Sequence, residues 1–232
     1  MTHSKPQRKR FNRWVIILLA MVVVVSIGAV AIPWGDDNNG NPKPSPTATT
    51  PANLGLSGSG AQLASLLSGA RQHTFHARYK VSGDPSLLGG TLSLEWWNKP
   101  NSSRVDTTRS DGNQTVRTAS FVNGGDGTNC QRIDEGDWTC QAFAAPAPGD
   151  PQGIITSLTS QLAGRPVTVS NAKIAGRSAL CFHVGGGTEP IDVCVNVDGV
   201  MLRNASSKIK YEISSLDTNV PDATFTPPAK VS

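Results

Sequence analysis

Residues 14–32 form an uncharged apolar run, WVIILLAMVVVVSIGAVAI, which decides on which side of a membrane the rest of the chain can fold. As an α-helix the run would be about 28 Å long, close to the roughly 30 Å hydrocarbon core of a bilayer. Five basic residues and no acidic residue precede it: Lys5, Arg8, Lys9, Arg10 and Arg13. The positive-inside rule therefore predicts a single-pass cell-membrane protein with a cytoplasmic N-terminus and residues 35–232 outside.

A cleaved signal peptide is the alternative interpretation of the same run. Ala29-Val30-Ala31 has the small-x-small form of a cleavage site, and cleavage would give a secreted protein. A retained anchor is favoured because the apolar run is long for a signal peptide and continues to Ile32. No cysteine lies near the end of the run, so an anchor of the diacylglyceryl-cysteine type is not expected. Both interpretations export the remainder of the chain.

The formal net charge of +4 reflects this topology. Five of the 21 Lys and Arg residues lie before residue 14, and all 17 acidic residues lie after residue 35. The exported part thus has 16 basic and 17 acidic residues, a net charge of −1. It has no basic stripe interleaved with aromatic residues, so no nucleic-acid partner is expected.

All four cysteines, Cys130, Cys140, Cys181 and Cys194, lie in the exported part, where disulfides persist. Four cysteines allow three pairings. A turn signal between the members of each neighbouring pair favours Cys130–Cys140 and Cys181–Cys194, each joining the two arms of one hairpin. No C-x-x-C motif occurs and the histidines show no ligand spacing, so the sequence predicts no metal site and no cofactor.

Composition divides the chain into four segments. Residues 1–13 are a basic cytoplasmic tail, and residues 14–34 are the transmembrane helix or signal peptide. Residues 35–56 are a linker rich in Pro and Thr, a composition that cannot bury a core. Residues 57–232 have the length of one exported domain.

Hydrophobic periodicity predicts an α+β fold for this domain: a curled antiparallel sheet that helices cover. A helix with Leu63, Leu66, Leu67 and Ala70 on one stripe opens it, with Ser57 or Ser59 as its cap. A second helix begins near Asp150 and carries Ile154, Ile155, Leu158 and Leu162 on one stripe. Period-two alternation and turn signals predict eleven strands: 74–81, 90–97, 102–108, 114–122, 128–133, 137–143, 167–174, 178–184, 190–197, 200–207 and 208–214.

No set of catalytic residues is evident in the sequence, which therefore predicts that the protein is not an enzyme. No G-x-S-x-G nucleophile motif occurs. His73 and His76 are interpreted as surface residues at a helix–strand junction, and His183 as a structural residue on a strand. Gly185-Gly186-Gly187 precedes no helix and is interpreted as a loop.

The tail, residues 217–229, reads DTNVPDATFTPPA, and the early segment combines Trp96-Trp97 with Pro100 and Arg104-Val105-Asp106. In these motifs and in the order of its elements, the domain resembles the exported lipoprotein-carrier superfamily, the LolA/LppX/RseB-like fold. Members form a half-open barrel whose concave face, lidded by helices, holds acyl chains. Some bind lipids or lipoproteins, and others sense them.

The resemblance implies a membrane-tethered extracytoplasmic domain of the bacterial cell envelope that binds a lipid or lipid-modified molecule. Seven apolar residues are the candidates for lining its cavity: Leu92, Leu94, Trp96, Ile154, Ile155, Leu158 and Leu162. The alternative is an envelope sensor or protein-interaction module that transports no ligand. Its partner protein in the envelope is then unknown.

Overall fold

The computed structural model describes residues 58–144, 164–186 and 189–231. The predicted membrane segment and linker lie outside the described residues, and so does the predicted second helix with Ile154, Ile155, Leu158 and Leu162. Within the described ranges, no helix combines the length and apolar character that crossing a bilayer requires.

The described elements are two α-helices, two 3₁₀ turns and eleven strands. The helices are α1 (Ser59–Gly69) and the single-turn α2 (Pro85–Leu88), and the 3₁₀ turns are Ala70–Gln72 and Asp222–Phe225. The strands are β1 (Phe75–Gly83), β2 (Thr91–Lys99), β3 (Ser102–Ser110), β4 (Thr115–Asn123), β5 (Asp126–Ile133), β6 (Thr139–Ala144), β7 (Val167–Ile174), β8 (Arg177–Val184), β9 (Ile191–Val195), β10 (Met201–Ala205) and β11 (Ile209–Asp217). All eleven predicted strands are confirmed, with small changes at their ends.

The strands form one open antiparallel sheet in the order β6-β5-β4-β3-β2-β1-β11-β10-β9-β8-β7. It consists of two meanders, β1–β6 and β7–β11, which meet where the first strand pairs with the last. Eight register pairs join β1 to β11, from His76↔Asp217 to Gly83↔Ile209, with one bulge between Arg78 and Tyr79. Strands β6 and β7 are consecutive in the sequence but lie at opposite edges.

Each meander carries one disulfide, and both predicted pairings are confirmed. Cys130 lies directly opposite Cys140 on β5 and β6, and Cys181 lies directly opposite Cys194 on β8 and β9. In both pairs the Cα atoms are 4.0 Å apart. Such a short separation is typical of non-hydrogen-bonded antiparallel pairs, in which the side chains approach most closely.

Helix α1 packs on the second meander. Leu63 and Leu67, both buried, contact a cluster on β8 and β9 that includes Phe182 and Val193. The helix begins after Gly58, which makes no side-chain cap, and Ser59 is its first residue, so the predicted Ser59 cap is wrong. Among residues 58–144, 164–186 and 189–231 the predicted first helix is confirmed, and the sheet dominates.

The predicted Asp198-Gly199 hairpin turn connects β9 to β10 and lies against α1. Asn196 organises it, because its side-chain oxygen accepts from the backbone N–H groups of Asp198 and Val200. At Gly199, φ is +76°, and a Cβ added there would lie 1.8 Å from the carbonyl oxygen of Leu66. Only glycine permits both this backbone conformation and this approach to the helix.

The C-terminal segment from Thr218 to Val231 forms a strap across the first meander. Phe225 is buried, and its carbonyl accepts from the Asn123 side chain. Ala229 packs on the cluster that contains the Cys130–Cys140 disulfide, and Val231 makes a parallel bridge to Cys140. The tail motif, Val220-Pro221 followed by Phe225-Thr226-Pro227-Pro228, therefore has a structural role in this chain, since it covers one face of the sheet.

Candidate functional site

A depression of about 440 Å³ opens where β1 and β2 separate. The ladder between these strands ends at Lys80↔Ser93, while β1 continues to Gly83 and β2 begins at Thr91. Residues from both faces of the sheet consequently line the opening: Tyr79, Lys80, Val81, Ser82, Leu92, Ser93, Lys210 and Glu212. Its volume lies within the range of small-molecule sites.

The apolar part of the lining comes from Tyr79, Val81 and Leu92. The Tyr79 hydroxyl donates to the Met201 carbonyl over 2.8 Å, which leaves its ring to form the apolar wall. Burial raises the pKa of Tyr79 far above its ordinary value, so the phenol remains a neutral donor. An apolar floor with no charged group of its own suits a hydrocarbon chain.

The polar part of the lining is cationic. Glu212 is held by Arg203, whose Nε and terminal nitrogen lie 2.8 Å and 2.7 Å from one carboxylate oxygen, and Lys210 Nζ lies 3.7 Å from the same atom. Lys80 stands opposite Glu212 on the neighbouring strand and is exposed. Two cations thus contact one carboxylate while Lys80 stands opposite it in the ladder, and the excess of positive charge favours an anionic group at the mouth of the depression.

The candidate cavity residues in the described part of the chain do not all lie at this depression. Leu92 lines it. Leu94 is partly buried against the main core. Trp96 is 5% exposed, packs edge-on against Phe75 and donates through its indole nitrogen to Ser103, so it belongs to the packed core. The other four candidates lie outside the described residues, and the predicted lining by this set stays a prediction.

His76 was expected at the surface, and this expectation is wrong: it is 8% exposed. Its ring stacks on Trp97 at 4.4 Å, its Nε2 lies 2.8 Å from Glu95, and its Nδ1 lies 3.5 Å from Asp217. The register of β2, β1 and β11 creates this arrangement, since Trp97 and Asp217 both stand opposite His76. No local sequence pattern indicates it, because β11, which brings Asp217, is far from β1 and β2 in the chain.

Beside His76, Arg104 links the sheet to the C-terminal strap. It binds Asp106 through two nitrogens at 2.7 Å and 2.6 Å and donates to the Thr224 carbonyl at 3.0 Å. Burial raises the pKa of Asp106, although the Arg104 guanidinium opposes that shift. His76 and Arg104 both bind carboxylates within this polar cluster, which is best explained as a structural network.

No group of three or more His, Cys, Asp or Glu side chains with metal-binding geometry occurs among residues 58–144, 164–186 and 189–231. The described structure therefore gives no support to a metal centre. His76 instead pairs with carboxylates, and His183 pairs with a carboxylate and a hydroxyl.

No family model and no curated protein matches the chain. Among solved structures, MucB in complex with MucA(peri) is similar at 16% identity and a TM-score of 0.42, covering 74% of this chain and 60% of that one. PNGF-II in space groups P21 and C2 is similar at 11% and 12% identity, with TM-scores of 0.34 and 0.32. These matches cover 69% and 68% of this chain but only 31% and 30% of PNGF-II.

The chain spans 60% of the MucB chain. At this TM-score the likeness carries no argument about ligand or partner, which must come from the geometry of the chain itself.

Proposed function

We propose that this protein is a membrane-tethered extracytoplasmic domain that binds an acyl-chain ligand with an anionic group. The observation that carries the proposal is the depression between β1 and β2. Its apolar floor of Tyr79, Val81 and Leu92 suits the chain, and Lys80 and Lys210 at its mouth suit the anion. The predicted N-terminal anchor would hold the domain beside a source of such ligands.

The test uses delipidated full-length protein in detergent and a fluorescent polyene fatty acid as the probe. Reversing both lysines, in the double variant Lys80→Glu/Lys210→Glu, should weaken binding of the fatty acid about tenfold, because the mouth then repels a carboxylate. Binding of the matching fatty alcohol should change much less. Lys173→Glu, an exposed reversal on β7, is the matched control and should leave both affinities unchanged.

The apolar floor is tested separately by Val81→Asp, which places a charge at a partly buried position. We expect this variant to lose binding of both the fatty acid and the fatty alcohol, provided that its near-UV circular dichroism is native. Mass spectrometry of protein purified without delipidation should find bound acyl species. Unchanged affinities in both variants would refute the depression as the site.

The second candidate is the interaction module, and the outer edge of β7 favours it. Strand β7 lies at the end of the sheet, with no described strand beyond it. Its eight residues, Val167–Ile174, contain no proline, so an extended segment of a partner protein could add as a further strand. If delipidated protein takes up no acyl ligand, this function becomes the leading one.

A further inference from the structure

Ser170, His183 and Asp192 form a hydrogen-bonded chain across three adjacent strands that the proposed ligand site does not use. Ser170 Oγ lies 2.8 Å from His183 Nε2, and His183 Nδ1 lies 2.7 Å from Asp192 Oδ1. A hydroxyl, an imidazole and a carboxylate in this order, at these distances, are the parts of an activated serine nucleophile.

The strand register brings the three residues together. Ser170 stands opposite Cys181 of β8. His183 lies two positions after Cys181 on the same strand and stands opposite Asp192 of β9. All three side chains therefore lie on the sheet face opposite Phe182, away from helix α1. The Cys181–Cys194 disulfide forms the neighbouring rung and fixes the register in which His183 faces Asp192.

The hydrogen bonds assign a role to each ring nitrogen. An ionised carboxylate only accepts hydrogen bonds, so Asp192 holds the proton of neutral His183 on Nδ1. Nε2 is then the acceptor of the Ser170 hydroxyl proton. His183 is thus placed as the base of Ser170, and Asp192 as the residue that orients His183.

The group is open to an approaching molecule. Ser170 is exposed, and the side chains of His183 and Asp192 are 45% and 46% exposed. A substrate can therefore reach Ser170 Oγ from solvent without any rearrangement of the described residues.

The edge of β7 supplies a donor for a developing oxyanion. Cys181 forms a non-hydrogen-bonded pair with Cys194, so its backbone N–H and C=O point to β7 and bond Ser170. The N–H groups of Val169 and Asn171 consequently point outward, where no described strand pairs with them. Such N–H groups beside a nucleophile stabilise negative charge on an attacked carbonyl oxygen.

We propose that Ser170, His183 and Asp192 form a catalytic site that hydrolyses small carboxylic esters. Ser170 Oγ bonds to the ester carbonyl carbon as its proton passes to His183 Nε2. The bond from that carbon to the alcohol oxygen breaks, and the alcohol leaves with the proton from His183. Water then attacks the acyl-serine, gives a proton to His183, and releases the carboxylic acid as Ser170 regains its proton. The net reaction converts ester and water to acid and alcohol.

The test measures hydrolysis of p-nitrophenyl acetate by the full-length chain with both disulfides intact. Ser170→Ala and His183→Gln should each lower the rate at least about a hundredfold, the lower end of the range for loss of acid–base catalysis. Asp192→Asn should also lower it, since the amide no longer requires the proton to be on Nδ1 of His183. A fluorophosphonate probe should label Ser170 in the unmodified protein, and the label should be lost in His183→Gln.

Ser178→Ala, an exposed serine on the same β7–β8 hairpin, is the matched control and should keep the full rate and the label. Equal unfolding midpoints show that the variants fold. Hydrolysis by the unmodified protein no faster than by Ser170→Ala, or a label on another residue, overturns the proposal. The acyl-binding experiment is independent of this one, because none of its lysine or valine variants touches the three residues.

Discussion

Tyr79 shows how one side chain holds the two meanders together. It lies on β1, in the first meander, and its hydroxyl donates to Met201 on β10, in the second. The ring is 3% exposed and packs in the same cluster as Trp96 and Ile213. The hydrogen bond therefore crosses β11, and its loss would leave a buried carbonyl without this partner.

Tyr79→Phe should lower the free energy of unfolding by about 1–3 kcal/mol, because the Met201 carbonyl stays buried without the hydroxyl. Urea denaturation with the disulfides intact measures this change. Tyr211→Phe is the matched control: Tyr211 packs at the edge of the same cluster, and its hydroxyl makes no hydrogen bond to a described residue. Equal effects of the two substitutions would contradict the role given to the Tyr79 hydroxyl.

The two tyrosines of the chain should also titrate abnormally. Burial raises the pKa of Tyr79 and of Tyr211 in the folded protein, whereas both ionise near pH 10 when unfolded. Above pH 10 the unfolded chain thus binds fewer protons than the folded one, and stability that is fully present below pH 10 is lost as pH rises. Absorbance at 295 nm should report phenolate only as the near-UV circular dichroism disappears. Tyrosinate near pH 10 in a protein with native dichroism would contradict this expectation.

At the scale of elements, the C-terminal strap completes the first meander. Strands β3–β5 present Arg104 and Phe121 on one face, with the guanidinium 5.1 Å from the phenyl centroid. The strap covers this face through buried Phe225 and through an ion pair between Lys99 and Asp222. Hydrogen bonding to Lys99 lowers the pKa of the Asp222 carboxyl. Because the ion pair is exposed at Asp222 it adds little to stability, so burial of Phe225 is the strap's main contribution to the stability of the fold.

Phe225→Ala should lower the free energy of unfolding by about 3 kcal/mol, the usual cost of removing a buried phenyl ring. Thr226→Ala, at the exposed next position, should change it little. Chemical denaturation measures both values. A loss of unfolding free energy that is no larger for Phe225→Ala than for Thr226→Ala would show that the strap does not stabilise the sheet.

At the scale of the whole molecule, the sheet has two edges: the first meander ends at one of them, β6, and the second meander begins at the other, β7. A strand edge exposed outside the cell is open to added strands, while the predicted anchor fixes the domain near the membrane. Which ligands can reach the proposed ligand site, and which partner segments can reach the β7 edge, depends on this placement. Localisation is therefore the global property to measure.

The full chain should be oriented with residues 35–232 outside the cytoplasmic membrane. Protease added to intact spheroplasts should remove the domain and leave the short N-terminal segment. Survival of the full-length chain would contradict the orientation. A mature N-terminus at Ile32 would show a cleaved signal in place of an anchor.

The sequence by itself determined the local structure of this protein. Alternation of apolar and polar residues is set by the two-residue repeat of a strand, so the strands could be located. Turn signals such as Asp198-Gly199 act over a few residues and set hairpin register. For the same reason both disulfides could be paired, because each joins neighbouring strands, and the pairing of Cys181 with Cys194 already implies that His183 faces Asp192.

Only the tertiary structure decided the contacts between distant strands. The β1–β11 pairing joins residues more than 120 positions apart, and nothing local encodes it. His76 is buried because Trp97 and Asp217 meet it from both neighbouring strands, and Ser170 approaches His183 because of the β7–β8 register. The depression likewise exists because β1 leaves β2 at Lys80 to continue with β11. These features depend on which strands pair over long distances, and that choice is made by burial in the whole sheet.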